Sequence, residues 1–182
     1  MSSLVSIITP CFNSEKYVSQ TIHSVLNQTH QNWELLLEDD CSSDETFATI
    51  SKFASQDNRI KAFKLDKNSG AGVARNFAIH QASGNYIAFL DADDLWKPEK
   101  LDKQISFMQT QKIPFTFSFY ETIDEAGNLR NETITTPSKI TYKQLYFCNW
   151  IGNLTGIYSV DFFGKIPISS IKKRQDWMLW LQ

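Results

Sequence analysis

The sequence predicts an α/β protein with a mainly parallel central sheet and helices on both faces. Three observations carry this. Four apolar, strand-like runs alternate with segments of helical period across the first half of the chain. The resulting β-α-β-α-β-α-β order implies a mainly parallel sheet with helices on both faces. The fourth run, Tyr86–Leu90, ends abruptly in three carboxylates, Asp91, Asp93 and Asp94. The carboxyl end of a strand is where an open α/β sheet presents its ligand crevice.

The elements follow in order. Leu4–Thr9 is a β-branched run that stops at Pro10, a first strand. Asn13-Ser14 caps a helix through about Asn27, with Tyr17, Val18, Ile22 and Val25-Leu26 at helical spacing. Trp33–Leu37 is a second strand ending at Glu38-Asp39-Asp40. Asp44-Glu45-Thr46 opens a helix with Ile50, Phe53 and Ala54 on its inner face. Ile60–Leu65 is a third strand, and the glycine turn at 68–72 leads into a helix from about Ala71 to Ala82. A turn at Ser83-Gly84-Asn85 feeds the fourth strand. After Pro98 a helix runs to about Gln111, and Pro114–Thr122 reads as a strand whose phenylalanines face the core. Residues 124–128 read as a hairpin turn, with 133–135 as the return strand. Tyr142–Trp150 reads as a short amphipathic helix and Asn153–Val160 as another strand. Asp176–Gln182 opens a helix with no stop signal, which suggests a chain truncated on that side.

Composition narrows the class. With 182 residues and 42% apolar content, the chain forms one domain with an ordinary core. A net charge of −2 leaves no basic footprint for nucleic acid; the local exception is Lys172-Lys173-Arg174. Three cysteines lack metal-type spacing and their odd count argues against a disulfide framework. No signal peptide or long apolar run is present, so the expected location is the cytoplasm. Without a signal peptide, the sequons at Asn131 and Asn153 read as coincidence.

Side chains two residues apart on extended chain point the same way, so Asp91 and Asp93 can converge on one ligand. Two carboxylates that close repel each other and any phosphate. A hard cation such as Mg²⁺ or Mn²⁺ reconciles them, since it takes oxygen ligands and binds substrate phosphates. The competing reading is a solvated loop. An EF-hand fails, because its glycine and glutamate positions hold Trp96 and Asp102.

Five segments in order resemble the family 2 glycosyltransferases, nucleotide-sugar-dependent enzymes of GT-A (Rossmann-like) fold. They are residues 5–13 (VSIITPCFN), 38–44 (EDDCSSD), 68–76 (NSGAGVARN), 84–94 and 176–181 (DWMLWL). The resemblance implies one GT-A domain over 1–182, with a donor half at 1–98 and an acceptor half at 99–182. It implies that Thr9, Pro10, Asp39, Arg75 and Asp91-Ala92-Asp93 bind the nucleotide-sugar. Asp39 would accept the uracil imide N–H, and Arg75 would meet the diphosphate with its forked donors. Asp93 would ligate the metal directly, with Asp91 on the ribose or the metal's waters and Asp94 shaping the sugar pocket. Asp176 would be the general base, although the family places an acid before it where this chain has Gln175. Trp177 would stack on the acceptor sugar, with Trp150 and Trp180 nearby.

The bland readings of these residues are a turn and N-cap at Asp39-Asp40, a surface arginine at Arg75, and an N-cap at Asp176. The resemblance implies a metal-dependent inverting transfer from a UDP-sugar to a hydroxyl of a saccharide or lipid-linked saccharide, in cell-surface polysaccharide synthesis. Mn²⁺ or Mg²⁺ would assist, and the enzyme would work at the inner face of the membrane through peripheral association. Two rivals remain open: a non-catalytic nucleotide-sugar-binding module, and an Asp-nucleophile phosphohydrolase suggested by Leu90-Asp91-Ala92-Asp93. The 70–75 segment is no dinucleotide fingerprint, since Arg75 stands where a third glycine is required.

Overall fold

The computed structural model describes residues 3–182 apart from 126, 170 and 172, and it leaves the Asn131 side chain undescribed. Parts of the predicted 124–128 turn, the Lys172–Arg174 cluster and the Asn131 sequon therefore lie outside the described residues. Four parallel strands form the expected core of the sheet: β1 (Val5–Cys11), β2 (Trp33–Asp39), β3 (Ile60–Lys64) and β4 (Tyr86–Phe89). They are linked by α1 (Val18–Leu26), α2 (Thr46–Gln56) and α3 (Ala71–Gln81). Next come α4 (Lys100–Gln111), β5 (Phe115–Thr116), β6 (Tyr120–Ile123), β7 (Leu129–Ile134) and α5 (Tyr142–Phe147). A single 3-10 turn at Asn153–Thr155 precedes β8 (Ile157–Ser159), α6 (Val160–Phe163) and α7 (Gln175–Trp180). The sheet order is β3-β2-β1-β4-β8-β5, with β8 antiparallel to both neighbours, and β6-β7 form a separate hairpin.

Alternation along buried strands sends side chains to two cores. Val5, Ile7, Leu35 and Leu37 pack against α1, α2 and α4 through Ile22, Ile50 and Leu101. Ile8, Leu36, Ile87 and Phe89 pack on the other face against α3 and α7 through Ala78, Ile79 and Leu179. At the amino end of the sheet, Glu34 gathers the Ser6 and Ser83 hydroxyls, the Ser83 N–H and the Lys61 ammonium. Burial works against its charge, yet these donors hold its carboxyl below the ordinary range. Gly84 approaches β1 closely, since a Cβ there would lie 2.7 Å from the Ser6 nitrogen.

Several expected elements differ. Asn13 does not cap α1: its φ is 47° and its Oδ1 accepts from the Ser43 N–H, so the helix starts only at Val18. The predicted strand at 114–122 is split between β5 and β6, and Phe119 is 55% exposed rather than part of a core stripe. The predicted strand at 153–160 begins as a 3-10 turn and ends in α6. Strand β1 runs on through Pro10, whose missing N–H costs nothing because its neighbour β4 has already ended at Phe89 opposite Ile8.

Candidate active site

The carboxyl ends of β1, β2 and β4 and the amino end of α3 enclose a cleft of about 490 Å³. Pro10, Asp40, Gly70, Arg75, Asp91 and Asp93 line it. The loop carrying the carboxylates is tightly pinned. Thr21 Oγ1 donates to the Ala92 carbonyl at 2.8 Å, Gln28 Nε2 to the Lys97 carbonyl at 2.9 Å, and Trp96 Nε1 to the Leu154 carbonyl at 3.0 Å. Such a loop holds its acids in place before any ligand arrives.

Arg75 is the junction of the site. Its side chain is 12% exposed and donates to Asp91 Oδ1 at 2.6 Å and to Gln175 Oε1 at 3.0 Å, while its Nε is buried without a partner among the described residues. It is therefore no surface arginine. Asp91 Oδ1 also accepts from Asn153 Nδ2 at 3.1 Å. Gln175, absent from the expected site except as a departure, stands in front of Asp176 and brings α7 against α3. Gly72 leaves room for it: a Cβ there would lie 2.7 Å from Gln175 Nε2.

Asp93 is exposed at the cleft mouth and has no hydrogen-bond partner among the described residues. Burial, with Asp91 and Asp93 adding repulsion, pushes the Asp94 carboxyl up to about 7. Asp94 belongs instead to the adjoining cleft of about 380 Å³ between Tyr17 and the β6-β7 hairpin, which it shares with Asp93. Among the described residues no three acidic, His or Cys side chains form a ready-made metal cage.

The two acids after β2 divide differently from expectation. Asp39 is fully buried off the cleft wall, with Oδ2 accepting from the Ser42 N–H and Oδ1 unpartnered. Asp40 is on the wall, and its two oxygens accept the Ser69 and Gly70 N–H groups at 2.7 Å each. Thr9 is also fully buried with an unpartnered hydroxyl, away from the cleft surface, whereas Pro10 and Ala92 line it. Buried Glu38 between these elements has no partner on either oxygen among the described residues, and burial with repulsion from Asp39 and Asp40 pushes its carboxyl up to about 7.

On the other side, Asp176 sits in the first turn of α7, beyond the N-cap position held by Arg174, and accepts from Asn149 Nδ2 at 2.8 Å. Trp177 donates its indole N–H to the Leu145 carbonyl at 2.6 Å. Trp180 is packed against Phe89 and Phe115 at 5.7 and 5.3 Å, so it serves the core and not an acceptor sugar. Asn149, Asn153, Gln175 and Asp40 are the site residues that sequence reasoning underweighted. Only Asp40 carried a local signal, as the second acid of the pair; Asn153 lay hidden inside a sequon.

Known proteins resemble the chain along most of its length. It is 41% identical over 178 residues to TuaG of Bacillus subtilis (strain 168), named for teichuronic acid biosynthesis; the match covers 98% of this chain and 71% of TuaG. It is 42% identical over 178 residues to Escherichia coli WfgD, a UDP-Glc:α-D-GlcNAc-diphosphoundecaprenol β-1,3-glucosyltransferase, covering 98% of this chain and 68% of that one. Residues 1–349 of S. aureus TarS, solved in complex with UDP, superpose with a TM-score of 0.76 at 25% identity, over 96% of this chain and 53% of that one. The chain thus spans about half of that solved structure. The family model described as glycosyl transferase family 2 matches residues 6–162. The chain belongs to glycosyl transferase family 2: it is a glycosyltransferase of GT-A fold, with the cleft described above at the carboxyl edge of its sheet.

Proposed function

We propose that the enzyme transfers a sugar, with inversion, from a UDP-sugar to a hydroxyl of a lipid-linked saccharide during cell-surface polysaccharide synthesis. The observation that carries this reading is the Asp91–Arg75–Gln175 chain, which ties the diphosphate-binding arginine to the helix bearing Asp176. The relatives supply the chemistry of donor and acceptor: TarS is solved with UDP, and WfgD takes UDP-Glc and a diphosphoundecaprenol-linked sugar.

In this reading the nucleoside lies between Pro10 and the Asp40 carboxylate. Asp40 replaces Asp39 as the base-reading residue because it lines the cleft and each of its oxygens keeps a second lone pair. Arg75 turns its donors from Asp91 and Gln175 toward the diphosphate. Asp91, already positioned by Asn153, is suited to a ribose hydroxyl; an oxygen so occupied is a poor phosphoryl nucleophile, which disfavours the phosphohydrolase reading. Asp94 borders the adjoining cleft, where the sugar would sit. Asp176 takes the proton of the acceptor hydroxyl as it attacks the anomeric carbon opposite the leaving diphosphate. Asn149 aims that carboxylate.

The donor set fits a divalent cation held mainly by substrate and water. Asp93 is an unengaged carboxylate at the cleft mouth, its neighbours repel it, and the site offers no all-protein cage. Asp93 would hold Mn²⁺ or Mg²⁺ there. When bound, the metal neutralises charge on the departing nucleoside diphosphate. No helix among the described residues is long and apolar enough to cross a membrane. The acceptor reading places the enzyme at the inner membrane face.

Transfer from UDP-glucose to a diphospholipid-linked GlcNAc tests the proposal. The wild type should form a disaccharide and Asp176→Asn should lose at least about 10²-fold in kcat while still binding UDP. UDP binding without transfer to any lipid-linked acceptor would support the binding-module reading instead.

A further inference from the structure

The surface around α5 lies outside the donor cleft and carries a contiguous cluster of exposed aromatic rings. Tyr142, Tyr146 and Phe147 are 67%, 59% and 73% exposed, while Leu145 alone of that helix is buried. The rings touch in series, with centroids 6.5 Å apart between Tyr142 and Tyr146 and 5.5 Å between Tyr146 and Phe147. Exposed Trp150 follows at once. Single exposed apolar residues are ordinary, but a contiguous patch marks a contact surface.

Charge identifies what it contacts. Residues 133–182 hold six Lys and Arg against two acids, whereas residues 1–132 hold 12 against 18. No carboxylate occurs between Glu132 and Asp161. Lys139, three residues before α5, and Lys143, in its first turn, are exposed. Arg174, the N-cap of α7, joins them, because it stacks on Trp177 at 5.1 Å and Trp177 is hydrogen-bonded to α5; exposed Lys173 precedes it directly. Rings with polar tips set among cations suit the interface of an anionic bilayer: the rings enter the headgroup layer, and each nearby cation adds attraction.

We propose that the α5 face docks the enzyme peripherally on an anionic lipid bilayer through Tyr142, Tyr146 and Phe147, with Lys139, Lys143, Lys173 and Arg174 meeting the headgroup charge. This deepens, and rests on, the lipid-linked acceptor reading by naming the surface that meets the membrane. Asn149, two residues past α5, holds Asp176 at 2.8 Å. Docking there sets the base beside the plane from which a lipid-linked sugar projects.

Co-sedimentation with glycolipid-free vesicles tests the surface apart from catalysis. The protein should bind phosphatidylcholine vesicles that contain phosphatidylglycerol, weakly bind phosphatidylcholine alone, and release as salt rises. The Tyr146→Ser/Phe147→Ser variant should lose at least about tenfold in partition, and Lys139→Gln/Lys143→Gln should flatten the salt dependence. Unchanged UDP binding in both variants verifies that the fold and donor site are intact. No binding to anionic vesicles, or equal binding by the variants, overturns the proposal. So does a concentration-dependent dimer that Tyr146→Ser/Phe147→Ser abolishes without any vesicle binding, which would assign the face to a second copy. Failure of docking with UDP binding retained leaves the donor reading standing; loss of UDP binding by the wild type strikes that reading alone.

Discussion

Arg75 condenses the logic of the site at the scale of a residue. Its two terminal nitrogens are taken by side chains 16 and 100 residues away, and its Nε is buried with no partner among the described residues. Gln175 holds it without neutralising it. Gln175→Glu would add a second carboxylate to the Asp91 pair and compete with the diphosphate, so the donor KM should rise severalfold while kcat changes less; steady-state kinetics on both parameters checks this. Asp93→Asn removes the unengaged carboxylate, so Mn²⁺ should no longer strengthen UDP binding although the fold persists, as a titration with and without the metal would show. Asp91 and Asp93 drew attention through the apolar strand that ends before them, whereas Arg75 and Asp176 were picked out only by the family resemblance. The structure joins Asp91 and Arg75 in one hydrogen-bonded chain with Gln175. Asn153 and Gln175 were not legible, because their meaning lies in partners 62 and 100 residues distant that no local pattern encodes.

At the scale of elements, α7 depends on close approach at both ends. Gln175 fits over Gly72, and Trp180 fits over Gly156, where a Cβ would lie 2.5 Å from the indole. Gly156→Ala should therefore push Trp180 off Phe89 and Phe115 and destabilise the protein by about 1–3 kcal/mol, the usual cost of overpacking. Chemical denaturation measures that loss, and a fall in kcat beyond it would show that α7 positions Asp176. The parallel strands and their helices were readable from period and punctuation. Beyond residue 112 legibility fell. There the strands have two to six residues and the aromatic segment pairs partly with β8 and partly within a hairpin, a choice made by tertiary contacts.

The whole molecule stores a titration in its sheet. Glu38 is fully buried, lacks partners among the described residues and ionises only near pH 7 against an ordinary 4.5. A folded pKa above the unfolded one gives stability that is complete below about pH 4.5 and lost as pH rises through about 7. At about 1.4 kcal/mol per unit the loss is on the order of 3 kcal/mol. Glu38→Gln should abolish most of that decline in Tm between acid and neutral pH. A residual slope of the same sign is expected from Asp94, which is shifted the same way. Asp94 lines the adjoining cleft and Glu38 lies buried beside Asp39 and Asp40, so the architecture gives up stability where it concentrates negative charge.

The proposed function requires the cleft at the ends of β1, β2 and β4 to be a metal-assisted site for a uridine diphosphate. Calorimetric titration of the wild type with UDP, GDP and ADP, with and without Mn²⁺, tests it most directly. Binding should be selective for UDP, strengthened by Mn²⁺ and reduced by Asp40→Ala. Equal binding of the three nucleotides, or UDP binding indifferent to both Mn²⁺ and Asp93→Asn, would contradict it.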